Sequence, residues 1–122
     1  MAKKILIIDD EKDILKMLEV RLEAQGYEVV TALDGAEGLE KAQSLVPDLV
    51  ILDINLPEVN GFTVCRILKD NEVYKNVPIM MLTAREGEFD EVVDETLKPD
   101  AYCYKPFDSD ELVAKVKELL GE

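Results

Sequence analysis

Histidine and tryptophan are absent from the 122 residues, and there are only two cysteines. Cys65 and Cys103 sit in separate apolar stretches, without the spacing of a zinc site or a redox motif. They read as buried, reduced thiols. A metal held by this chain would therefore be held by oxygen. Basic residues are also scarce: 14 Lys and Arg stand against 27 Asp and Glu, a net charge of -13. That balance argues against an electrostatic footprint for nucleic acid and against an anionic membrane surface. It leaves a basic or mixed-charge protein partner open. No apolar run approaches membrane-spanning length, and the start, MAKKILIIDDEKD, is too short in apolar residues for a signal peptide. A cytoplasmic protein is expected. Linkers, repeats and low-complexity tracts are missing, so residues 1–122 are expected to be one domain with no output module.

Five short apolar runs recur, at Lys4–Ile8, Glu28–Ala32, Leu49–Asp53, Ile79–Leu82 and Ala101–Tyr104. Most are continuous rather than alternating, as in strands covered on both faces. Amphipathic stretches separate them. Ile14, Leu15, Leu18 and Leu22 keep helical spacing up to a stop at Gly26. Ala36, Leu39 and Ala42 mark a second helix, and Phe62, Cys65, Ile67 and Leu68 a third. Phe89, Val92, Val93 and Leu97 mark a fourth, and Leu112, Val113, Val116, Leu119 and Leu120 a fifth. The alternation predicts an α/β fold of (βα)5 type, a doubly wound parallel sheet with helices on both faces.

Ligand sites in such sheets form beyond the C-terminal ends of the strands. The first run ends in Asp9-Asp10, the third in Asp53, the fourth in Thr83 and the fifth in Lys105-Pro106. Taken singly, each has an ordinary explanation. Asp9 and Asp10 can cap a helix, Thr83 can open a capping box with Glu86, and Lys105-Pro106 can be a strand exit. Asp34-Gly35, Asn60-Gly61 and Asp108 read as turn or cap residues without chemistry. Independent structural causes do not, however, bring acids, a hydroxyl and a lysine to one edge. At about 4 Å and an effective dielectric near 20, two carboxylates repel by roughly 4 kcal/mol before relaxation. A hard cation with oxygen ligands would relieve this, and Mg²⁺ suits the donors. Phosphoryl transfer uses these same parts: an oxygen nucleophile, a metal, a lysine and a hydroxyl.

The run Ile5-Leu6-Ile7-Ile8-Asp9-Asp10-Glu11 resembles the start of response-regulator receiver domains. So do Pro47-Asp48-Leu49-Val50-Ile51-Leu52-Asp53-Ile54-Asn55-Leu56-Pro57 with Asn60-Gly61, then Ile79-Met80-Met81-Leu82-Thr83-Ala84, then Tyr104-Lys105-Pro106-Phe107. The resemblance implies a flavodoxin-like sheet in the order 2-1-3-4-5 and a stand-alone switch of a two-component phosphorelay. By position, Asp53 would be the phosphoacceptor. Asp10 and Asp53 would bind Mg²⁺ (or Mn²⁺) through their side chains, Asn55 through its backbone carbonyl, and Asp9 through water. Lys105 and Thr83 would contact the phosphoryl group, and Tyr102 would be the aromatic that moves on activation. Asn55 and Arg85 would tune hydrolysis, and the Lys105–Pro106 peptide would be cis. The implied partners are a sensor histidine kinase or phosphotransfer protein and a downstream protein target, with a monomer expected before phosphorylation. The output surface would comprise the fourth helix, the fifth strand and the fifth helix.

Many receivers carry Gly-Ala before the fifth strand, where this chain has Leu97-Lys98-Pro99-Asp100. Pro99 forces Lys98 into extended backbone and ends the fourth helix early. Three other functions compete. A Mg²⁺-dependent aspartyl-phosphate hydrolase would carry an acid at position 55, where Asn stands. An FMN carrier would not begin its phosphate loop with Asp-Asp-Glu. A scaffold that is never phosphorylated would not need the acids, Thr83 and Lys105 together.

Overall fold

The computed structural model of the chain describes residues 2–83, 99–105 and 107–122. Five strands, β1 (Lys4–Ile8), β2 (Glu28–Ala32), β3 (Leu49–Asp53), β4 (Ile79–Thr83) and β5 (Ala101–Tyr104), form one parallel sheet in the order β2-β1-β3-β4-β5. Among the described residues there are four helices: α1 (Lys12–Glu23), α2 (Gly35–Leu45), α3 (Gly61–Lys69) and α4 (Ser109–Leu119). The predicted fifth helix is thus α4, and the predicted fourth, Phe89–Leu97, lies outside the described residues.

Strand alternation divides the core in two. Ile5, Ile7, Leu49, Ile51, Met80 and Leu82 face α1 and α4, packing on Leu15, Leu18, Leu22, Leu112 and Val116. Leu6, Ile8, Val50, Leu52, Ile79 and Met81 face α2 and α3, packing on Ala42, Val64, Cys65 and Leu68. Every one of these strand residues is essentially inaccessible to water. Each contributes roughly 1.5–3 kcal/mol of burial, which explains why the runs are continuously apolar. Cys65 and Cys103 lie in the two different clusters, as free buried thiols.

Two helix faces differ from expectation. In α2, Ala36 is exposed, and the buried residues are Gly35, Gly38 and Ala42. A Cβ at Gly38 would come within 2.3 Å of Ile8 Cδ1, so an alanine there would require the Ile8 side chain to shift. In α3, Ile67 is exposed and Val64 is buried instead. The rest of the predicted stripe holds: Cys65 and Leu68 are buried and Phe62 packs against the core, while Val64, one turn before Leu68, takes the place expected for Ile67.

The sheet edges are guarded by lysines. Lys41 on α2 donates to the Thr31 carbonyl of β2 at 2.6 Å, and Lys115 on α4 donates to the Tyr102 carbonyl of β5 at 2.9 Å. A charge laid on an exposed edge discourages pairing with another strand. The departure before β5 is tied down as well. Asp100 accepts from the Ile79 amide at 2.7 Å and from Lys69 Nζ at 2.8 Å, joining β5 to α3 and the start of β4.

Candidate functional site

The strand order reverses between β1 and β3, and the acids gather there. Ligand oxygens of Asp9, Asp10, Glu11 and Asp53 lie within 4.8 Å of one another. Asp9 leaves β1 directly and is fully buried, whereas Asp10 is exposed. Asp9 is held on both sides: Oδ1 accepts from the Glu11 amide at 2.9 Å, and Oδ2 accepts from Lys105 Nζ at 3.0 Å. Neither Asp9 nor Asp10 caps α1. The cap position is Glu11, whose side chain makes no capping hydrogen bond.

Asp53 closes β3 and is 3% exposed. Its Oδ1 accepts from the Asn55 amide at 3.1 Å and its Oδ2 from Lys105 Nζ at 3.3 Å. Burial pushes the Asp53 carboxyl up to about 6; the Asp9 charge adds to the rise, and Lys105 and the Asn55 amide only partly oppose it. Lys105 responds in the other sense. Burial alone would lower its ammonium, but the hydrogen bond to Asp9 and the charges of Asp53 and Asp9 outweigh that and raise it. Lys105 thus faces an excess of acids: it is held firmly as a cation, and the buried Asp53 carboxylate remains under-compensated.

The backbone around Asp53 is set by a glycine whose Asn-Gly context predicts only a turn or a cap. Gly61 opens α3 and donates its amide to the Ile54 carbonyl at 2.9 Å. A Cβ there would lie 2.2 Å from the Asp53 carbonyl oxygen and 2.8 Å from Ile54 Cα. The helix start is therefore pressed against the end of β3. Asn-Gly alone predicts a turn or a cap, and Asn60 does cap α3 by accepting from the Thr63 amide at 3.0 Å. The close approach to Asp53 is a tertiary fact.

Thr83 ends β4, is buried, and pairs in register with Tyr104; its carbonyl accepts from the Lys105 amide at 2.7 Å. Tyr102 is half-buried, and pairs with Met81 in the α2–α3 half of the core. By strand alternation Thr83 and Tyr102 share that face of the sheet. Burial pushes the Tyr102 hydroxyl up, with smaller contributions from Cys65 and Tyr104. Asn55 is exposed beside the acids. Arg85 and Pro106 lie outside the described residues, and with them the proposed shielding and the cis peptide.

The donor set fits a hard cation: carboxylates from two strand ends, one of them exposed, with a single lysine reaching them among the described residues. The Response regulator receiver domain family model matches residues 5–117. The chain belongs to the response-regulator receiver family.

Two curated relatives are regulators of transcription. The chain is 46% identical over 120 residues to the alkaline phosphatase synthesis transcriptional regulatory protein PhoP of Bacillus subtilis, covering 98% of the chain and 49% of PhoP. It is 43% identical over 117 residues to the DNA-binding dual master transcriptional regulator RpaA of Synechocystis, covering 96% of the chain and 48% of RpaA. The chain thus spans about half the length of these relatives. Among solved structures, the Vibrio cholerae chemotaxis protein CheY4 superposes with a TM-score of 0.90 at 32% identity, over 98% of this chain and 99% of CheY4. The receiver domain of the sensor histidine kinase PA1611 from Pseudomonas aeruginosa superposes with a TM-score of 0.90 at 26% identity, over 100% of both chains. The latter was solved with a magnesium ion coordinated in its active-site cleft. Receiver folds of this kind have the 2-1-3-4-5 strand order seen here.

Proposed function

We propose that this receiver domain takes a phosphoryl group onto Asp53 from the phosphohistidine of a sensor kinase or phosphotransfer protein. The observation that carries the reading is the buried Asp53 carboxylate at the end of the central strand, in contact with Lys105 and under-compensated by it. One Asp53 oxygen bonds to phosphorus as the phosphorus–nitrogen bond of the phosphohistidine breaks, and the bonding electrons leave with the imidazole nitrogen. Lys105 carries its positive charge toward the phosphoryl oxygens, and the Thr83 hydroxyl supplies a hydrogen bond. Mg²⁺ (or Mn²⁺) held by Asp10, Asp53 and the Asn55 backbone carbonyl, with Asp9 acting through water, would offset the negative charge of the phosphoryl group. Intact mass spectrometry tests this. The chain gains one phosphoryl group from acetyl phosphate when Mg²⁺ is present and none when it is chelated. Equal labelling under both conditions overturns the metal assignment.

Phosphorylation then shifts a population between two packings. A phosphoryl oxygen gives Thr83 a new acceptor, and its movement makes room for Tyr102 on the same face of the sheet. The surface of β5, α4 and the 89–97 stretch is the readout, and a protein target fits a domain of charge -13 better than nucleic acid does. Thr83→Ala retains phosphorylation on Asp53, but the amide shifts that phosphorylation causes along β5 and α4 are largely lost. Wild-type shifts in phosphorylated Thr83→Ala overturn this route.

Hydrolysis ends the signal, and water must reach phosphorus in line with the Asp53 oxygen. Exposed Asn55 is short enough to leave that path open and can hydrogen-bond the water. Asn55→Arg lengthens the phosphorylated half-life, and a tenfold change would correspond to about 1.4 kcal/mol in the barrier. Decay of phosphorylated mass after donor removal, at fixed Mg²⁺, measures it. An unchanged or faster decay removes Asn55 from this role, and Arg85→Ala, which should shorten the half-life, tests the second shielding residue.

A further inference from the structure

We propose that Glu11 is a positioning residue that holds Lys105 in the resting pocket and slows phosphoryl transfer to Asp53, an inference that rests on Asp53 being the phosphoacceptor. Lys105 Nζ faces three carboxylates: Asp9 at 3.0 Å, Glu11 at 3.3 Å and Asp53 at 3.3 Å. The three play different parts. Asp9 is buried and committed on both oxygens, to the Glu11 amide and to Lys105. Asp53 is the acceptor itself. Glu11 is the exposed one, with a side chain 58% exposed on a lysine that is 14% exposed.

A structural role does not account for that placement. Glu11 occupies the N-cap of α1, where a short oxygen-bearing side chain would satisfy a helix amide, and its side chain satisfies none. It turns toward the pocket instead. An ammonium has three N–H donors, and here three carboxylates share them. To donate to an incoming phosphoryl group, Lys105 must leave one of these partners. Glu11 is the partner whose loss disturbs neither the buried Asp9 network nor the nucleophile. It also keeps a negative charge near the place that an anionic phosphodonor must enter.

The test is the first-order rate of Asp53 phosphorylation in the full chain by acetyl phosphate at saturating Mg²⁺, followed by intact mass. Saturating metal keeps any change in Mg²⁺ affinity out of the rate. Glu11→Gln removes the charge and keeps the length. Glu11→Asp keeps the charge, shortens the reach by one methylene and suits capping of α1. Both variants accelerate phosphorylation by about threefold, the scale of one partly exposed ion pair. In the metal-free protein both also lower the order of the Lys105 ammonium measured by ¹⁵N NMR, a readout independent of phosphorylation. Wild-type rates in Glu11→Gln overturn the proposal. So does acceleration in Glu11→Gln with wild-type behaviour in Glu11→Asp, which would assign the effect to charge alone. Unchanged ammonium order in both variants overturns it as well. A wild-type chain that takes no phosphoryl group at all overturns the phosphoacceptor reading itself, a result distinct from any of these.

Discussion

Asp53→Asn gains no phosphoryl mass from acetyl phosphate and Mg²⁺, and in the absence of metal it is more stable than wild type at neutral pH. The first effect follows from the loss of the nucleophilic oxygen, because an amide does not form the acyl phosphate. The second follows from what burial does to the carboxyl. In the fold, Asp53 is raised from 3.8 to about 6, by burial first and by the Asp9 charge second. A carboxyl whose pKa rises on folding favours the folded state while it is protonated, and that contribution is lost as it ionises. Stability is therefore intact below about pH 4 and declines as pH rises through about 6. The full shift corresponds to roughly 3 kcal/mol. The substitution also removes the Asp53–Lys105 ion pair, while Asp9 and Glu11 keep the lysine compensated. The expected gain at pH 7.5 is about 2 kcal/mol. Urea unfolding of both proteins in chelator, at pH 4 and at pH 7.5, measures it. A gap of the same size at both pH values, or phosphoryl gain by the variant, defeats the assignment of Asp53 as a strained, buried nucleophile.

Gly61→Ala is expected to be the most damaging single-methyl change near the site. The added carbon would meet the Asp53 carbonyl oxygen at 2.2 Å and Ile54 Cα at 2.8 Å, both of them backbone atoms. Alanine is the better helix former by about 1 kcal/mol, which favours the variant. The clash opposes that gain and is larger, because relief requires α3 to move off β3 or the end of β3 to shift. A net loss on the order of 3 kcal/mol is expected, a fall in Tm of roughly 10 °C. Gly38→Ala is the internal comparison: its added carbon meets the tip of the Ile8 side chain, which can rotate, so its loss is smaller. Because the end of β3 carries Asp53, Gly61→Ala also phosphorylates more slowly per folded molecule. A Gly61→Ala protein that melts within a degree or two of wild type is incompatible with this packing.

The fold class, the order of the described elements and the residues at the strand ends were legible in the amino-acid pattern alone. Continuous apolar runs such as Ile5–Ile8 and Leu49–Leu52 can be satisfied only where both faces of a strand are covered, and that requires a parallel sheet between helices. The strand ends then place Asp9, Asp53, Thr83 and Lys105 at one edge. Tertiary structure decided what local patterns cannot express. It decided that Asp9 is buried and doubly hydrogen-bonded while Asp10 is exposed, because strand direction and the turn into α1 send adjacent side chains apart. It decided that α2 packs through Gly35 and Gly38 rather than Ala36, because Gly35 lies close against Val59 and Val64 and Gly38 close against Ile8. It decided that Gly61 buttresses Asp53 and that Glu11, placed to cap a helix, faces Lys105 instead. Periodicity records which residues leave water, whereas these outcomes depend on distances between segments far apart in the chain, which only the packed sheet and helices fix.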